Sequence, residues 1–146
     1  MVQMQKEVLL ANYSNYKIGG SARLFAEVDS VEELKEILKQ VQAFGSETQA
    51  QRNDKVFILG GGTNVLISDE GFDGLVIHNK IGGILRQRLG QVEEVKVGSG
   101  VMVNDLLNFC IENSLAGLEW AGGLPGTVGG AVRGNAGALG EETKDS

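Results

Sequence analysis

A chain of 146 residues, 42% apolar and 22% charged, can bury a core, and its net charge of −6 argues against nucleic acid or an anionic membrane as its main partner. A single cysteine, Cys110, excludes an internal disulfide and a cysteine metal cluster, and no metal site is read. No apolar run approaches the roughly 18 residues of a membrane helix and the N-terminus has no signal-peptide core, so a reducing cytoplasm is the expected location.

Val8-Leu9-Leu10 reads as a short strand or helical turn, and residues 12–20 as a polar loop ending in the pair Gly19-Gly20. Arg23–Val28 has strand character. Ser30-Val31-Glu32-Glu33 is a capping box, with the Ser30 hydroxyl accepting from the Glu33 N–H while Glu33 reaches back. The helix that follows carries Val31, Leu34, Ile37, Leu38 and Val41 on one face and should stop at Gly45. Residues 46–54 read as a surface loop. Lys55–Leu59 is a near-continuous apolar run, expected of a parallel strand covered on both faces. Glu70–Gly74 reads as a turn, and Leu75–His78 as the next strand. His78, the only histidine, reads as a surface or packing residue.

From residue 80 the pattern changes: glycines 82, 83 and 90 break short runs, and Gln91–Val97 alternates as an antiparallel strand would. Asn104 is the expected N-cap of a helix presenting Leu106, Leu107, Cys110 and Ile111 to the core, with Cys110 a buried, inert thiol. A subdomain boundary is placed near residue 80.

Residues 117–140 hold nine of the chain's 22 glycines, interleaved with small or apolar residues and not the polar ones of a flexible linker. Such a segment serves either a close crossing of elements or a bare backbone that donates N–H groups to an anion. A second cluster, Gly60-Gly61-Gly62-Thr63-Asn64, follows an apolar strand, where open α/β layouts gather ligands. Two clusters favour one extended, phosphate-bearing cofactor in a cradle of residues 60–66 and 121–137, the bare-backbone surfaces near Gly61 and Gly129 facing each other across a gap for a diphosphate. Thr63, Asn64 and Thr127 can add polar contacts, and Asn135 a contact to a carbonyl or ring nitrogen; the alternative is that each bonds its own backbone. No G-K-[ST] follows Gly62, so this is no Walker loop. Gly98-Ser99-Gly100 lacks the third glycine of a dinucleotide fingerprint, where Val103 stands.

Together, Ile18-Gly19-Gly20, Ile58–Leu66, Gly117-Leu118-Glu119, Leu124–Ala131 and Asn135–Ala138 closely resemble the UDP-N-acetylenolpyruvoylglucosamine reductase family (UDP-N-acetylmuramate dehydrogenases, MurB). The resemblance implies an α+β FAD-binding domain of the vanillyl-alcohol-oxidase (PCMH) type: subdomain I over residues 1–80 and an incomplete subdomain II over 81–146. It implies FAD as cofactor, NADPH as hydride donor, and a UDP-sugar enolpyruvate ether reduced to UDP-N-acetylmuramate for peptidoglycan. The cofactor-binding residues it implies are Leu59, Gly60, Gly61, Gly62, Thr63, Asn64, Val65 and Leu66 along the pyrophosphate. In the later segment they are Ala121, Leu124, Pro125, Gly126, Thr127, Gly129, Gly130 and Ala131, with Asn135, Ala136 and Gly137 on the flavin side. Leu139 stands where the family often has an aromatic residue. The family's catalytic arginine, proton-donating serine and late glutamate are expected beyond Ser146, as is its substrate-binding domain. No catalytic residue is named, and Arg133 is not taken for that arginine. The alternatives are another FAD-linked oxidoreductase of this fold acting on a hydroxy acid or alcohol, or a non-catalytic nucleotide-binding module.

Overall fold

The computed structural model describes residues 2–44, 55–90 and 92–145, which divide into two compact units, 1–80 and 81–146. No described helix is long and apolar enough to cross a membrane.

The first unit is built on a four-stranded mixed sheet. Strand β1 (Gln5–Leu9) leads through a 3₁₀ turn, Leu10–Tyr13, to β2 (Ser21–Val28). Helix α1 (Val31–Phe44) then connects to β3 (Val56–Leu59), and β4 (Phe72–Asn79) follows. The order is β1-β2-β4-β3, with β1 antiparallel to β2 and both β2 and β3 parallel to β4. One face is a core of Leu10, Ala22, Phe25, Leu59 and Val76, with Tyr13, Val65 and Ile67 packed on it. On the other, Ala26, Val28, Leu75 and Ile77 are buried, and α1 packs against β2 through a fully buried Ile37.

The capping box forms with one change. The Ser30 hydroxyl accepts from the Glu33 N–H at 3.2 Å, but the Glu33 carboxylate takes the N–H of Asp29 at 2.8 Å. The expected stop at Gly45 and the loop 46–54 lie outside the described residues. Strand β3 is parallel, as its composition suggests, but it is not covered on both faces. It is the edge of the sheet, and Ile58 is 55% exposed. The turn before β4 is also shorter than expected. It closes at Gly71, because Phe72, Asp73 and Gly74 already belong to the strand.

The second unit opens with an antiparallel hairpin, β5 (Ile84–Leu89) and β6 (Val92–Val97). Helix α2 (Val103–Glu112) follows, then a 3₁₀ turn at Glu119–Ala121, helix α3 (Val128–Gly134), and a small hairpin of β7 (Gly137–Ala138) and β8 (Glu141–Glu142). Its core is Val103, Trp120 and Ala121, joined by Leu107, Leu118, Leu124, Val128 and Ala131. Asn104 is not the N-cap of α2. Met102 holds that position without a side-chain cap, fixed by a bridge to Thr127 and by the Val103 N–H donating to the Gly126 carbonyl at 2.9 Å. Ile111, expected in the core, is 75% exposed; Cys110 is buried.

Candidate functional site

In the first unit the cluster 60–66 leaves the carboxyl end of β3, and its neighbour across the ladder is the carboxyl end of β4, since Leu59 pairs with His78. Leu59 is buried beneath it and Val65 packs into the core, so the loop is anchored from below. Among the described residues, the N–H groups of Gly60, Gly61, Thr63, Asn64, Val65 and Leu66 donate no hydrogen bond to protein. The side chains of Thr63 and Asn64 also have no partner there. A run of unused backbone donors without a charged side chain is the chemistry of a diphosphate cradle, so these residues fit FAD on that ground. The alternative, that Thr63 and Asn64 merely brace their own turn, has no bond behind it.

The second segment is built differently. Ala121 lies in the 3₁₀ turn, Leu124 packs into the core, Pro125 is exposed, and Gly126 is buried ahead of α3. The first-turn donors of α3 are already used. Val128 N–H bonds the Val101 carbonyl at 2.8 Å, Gly129 N–H the Ser99 carbonyl at 2.9 Å, and Gly130 N–H the Thr127 hydroxyl at 3.3 Å. A Cβ at Gly129 would lie 2.8 Å from the Ser99 oxygen, so glycine is required there by protein packing. The picture of exposed N–H donors turned to an anion therefore fits residues 60–66 and not Val128, Gly129 and Gly130. Ala131 N–H is internal to the helix, which ends with Asn135 in the left-handed conformation, φ 44° and ψ 51°. The N–H groups of Asn135 and Ala136 return to the Val132 and Ala131 carbonyls, a Schellman ending. The Asn135 amide is occupied at both ends, donating to Glu142 at 2.7 Å and accepting from the Lys144 N–H at 3.1 Å. Gly137 begins β7.

Among the described residues of the second unit there are small cavities. One, about 170 Å³, sits between β6 and α2, lined by Val95, Val97, Leu106 and Cys110 among others; another, about 50 Å³, is apolar and touches Ala121, Leu124 and Ala131. The Cys110 thiol is pushed up by burial and further by the Glu119 charge, which keeps it protonated and unreactive. His78 Nδ1 lies 2.9 Å from Glu27 Oε1, and its ring packs edge-on to Tyr13, which makes it a packing residue with a hydrogen-bond partner. The residues sequence reasoning missed are Tyr13, Ser14 and Asn15, whose backbone meets the cluster at Gly62. Their only signal was the Gly19-Gly20 pair that closes the same loop.

A family model described as an FAD binding domain matches residues 22–146. The chain belongs to this family. Within these FAD-binding domains it is 33% identical to the UDP-N-acetylenolpyruvoylglucosamine reductase of Orientia tsutsugamushi (strain Ikeda), over 98% of this chain and 45% of that protein. It is 42% identical to the reductase of that name from Rubrobacter xylanophilus, over 92% of this chain and 42% of the relative. The crystal structure of UDP-N-acetylenolpyruvylglucosamine reductase (MurB) from Thermus caldophilus superposes with a TM-score of 0.73 at 28% identity, covering 100% of this chain and 47% of that one. The chain thus spans less than half the length of these relatives. The resemblance read from the motif blocks and the α+β FAD-binding fold are both borne out.

Proposed function

We propose that this chain is the FAD-binding part of an NADPH-dependent UDP-N-acetylenolpyruvoylglucosamine reductase, acting on a UDP-sugar in peptidoglycan synthesis in the cytoplasm. What supports the cofactor is the donor run 60–66 at the carboxyl end of β3. What supports the reaction is the name shared by the similar proteins. When bound, FAD supplies hydride transfer between a nicotinamide and a carbon–carbon double bond.

In this reading the chain's own residues divide the work of holding the cofactor. Gly60–Leu66 present backbone donors to the diphosphate, while Thr63 and Asn64 add a hydroxyl and an amide. In the second unit, Leu124, Pro125 and Ala131 offer an apolar and small surface for the cofactor, supported by the buried Ala121 and Gly126. Thr127, Gly129, Gly130, Asn135, Ala136 and Gly137 shape the backbone around it. Reduction of a double bond also needs a proton, and no side chain described in these units is assigned to deliver it. His78 is engaged by Glu27, and Cys110 is buried with its thiol pushed up.

The test is a calorimetric or flavin-fluorescence titration of the folded chain with FAD. Saturable one-to-one binding is expected. A folded sample that leaves flavin fluorescence and heat unchanged up to millimolar protein sinks the cofactor assignment.

A further inference from the structure

Among the described residues the N–H groups of Gly60, Gly61 and Thr63 to Leu66 donate no hydrogen bond to protein, so their direction is set by whatever holds the ends of the loop. One segment holds both. At the front, the Tyr13 carbonyl fills the space where a Gly62 side chain would stand, Gly62 has φ +66°, and its carbonyl accepts from the Asn15 N–H at 3.0 Å. At the back, the Gly20 N–H donates to the Ser68 carbonyl at 2.8 Å, and Gly19 lies so close that its missing Cβ would be 2.6 Å from the Cβ of Ile67. Residues 63–66 span the interval between these two pins.

The segment is itself tied to the core. The Tyr13 ring packs at a tilt on Phe25, centroids 4.6 Å apart, and edge-on to His78 at 5.2 Å. Ser14 is 1% exposed and its hydroxyl accepts from the Tyr16 N–H at 3.2 Å, fixing the turn from which Asn15 donates. Two-ended attachment to a rigid layer is how a backbone cradle keeps its donors converged without a ligand.

We propose that residues 13–20 are a positioning brace for FAD binding: through the Asn15–Gly62 and Gly20–Ser68 hydrogen bonds they set the curvature of the 60–66 cradle without touching the cofactor. This rests on the reading of 60–66 as the diphosphate loop.

Asn15→Pro isolates the front pin. It removes the donating N–H, and Ser14 already has the extended backbone, φ −113° and ψ 140°, that a following proline requires. Asn15→Ala keeps that N–H and is the conservative comparison. FAD affinity is expected to fall about five- to tenfold in Asn15→Pro and to stay within about twofold in Asn15→Ala. In the FAD-free protein, the amide resonances of residues 62–66 should move in Asn15→Pro and not in Asn15→Ala. A purely structural role would lower the melting temperature and leave the affinity of the folded fraction unchanged. Equal FAD affinity in both variants overturns the brace, as do unmoved amide resonances in Asn15→Pro. Failure of the unaltered chain to bind FAD overturns the function proposed above instead, and the amide comparison then decides the brace alone.

Discussion

At the scale of single residues, Thr63 and Asn64 differ from Thr127 and Asn135 in what their polar atoms already touch. Thr127 caps α3 and Asn135 ties its end to Glu142 and Lys144, so replacing either costs fold stability. Thr63 and Asn64 have no such duty among the described residues. Asn64→Ala is therefore expected to leave the melting temperature within about 1 °C and to weaken FAD binding about tenfold, the scale of one hydrogen bond to a charged group. Differential scanning fluorimetry and a flavin titration read the two quantities separately. Leu139 carries a different tension. Its φ is +56° and Gly140 follows at +92°, the backbone of a tight hairpin turn that favours asparagine then glycine, yet its side chain is 90% exposed. Leu139→Asn should stabilise the chain by about 1 kcal/mol in urea denaturation, since it relieves left-handed strain and forfeits little burial. Cys110, buried and pushed up, is expected to react with a disulfide reagent much more slowly in the native chain than after unfolding.

Elements were legible where local chemistry decides them. The Ser30 cap and the 3.6-residue period announce α1, and Ser30→Ala should cost about 1 kcal/mol, measurable by the shift of the urea midpoint. The parallel run into three glycines announces β3 and the turn after it. Other elements depend on partners far away in sequence. Strand β5 is hidden because Arg86 and Arg88 sit on the same face as Ile84, where Glu93 neutralises them from the neighbouring strand at 2.9 and 3.9 Å. Helix α2 starts at Val103, before Asn104, because the bridge between Met102 and Thr127 ends the extended chain at Met102 and makes that residue the cap. The candidate site divides the same way. Glycine density marked both segments, but the same letter serves two ends: Gly129 is small because Ser99 is against it and Gly62 because Tyr13 is, whereas the donors of 60–66 are open. Nothing in a single sequence separates those cases.

At the scale of the molecule, Glu27, Glu93, Glu119 and Glu142 are the described carboxylates whose pKa the fold lowers. The His78 hydrogen bond, working against desolvation and aided by Lys80, holds the Glu27 carboxyl below the ordinary glutamate range. Because the folded value lies below the unfolded one, the stabilisation is present in full above the ordinary range and disappears as pH falls through the lowered value. Denaturation midpoints should stay level from neutrality until that range is reached and then decline, less steeply in Glu27→Gln than in the unaltered chain. Parallel declines would remove Glu27 as a contributor.

The cradle at 60–66 contains no lysine or arginine, and the chain as a whole carries a net charge of −6. A phosphate site built from basic side chains draws its ligand in over a distance, and added salt slows the encounter by screening that pull. Here the long-range force on a dianionic nucleotide has the opposite sign, and the amide dipoles act only at contact. Potassium chloride raised from about 10 to 150 mM should therefore quicken FAD association, as stopped-flow traces would show, a kinetic signature that distinguishes capture by peptide groups from capture by ammonium or guanidinium.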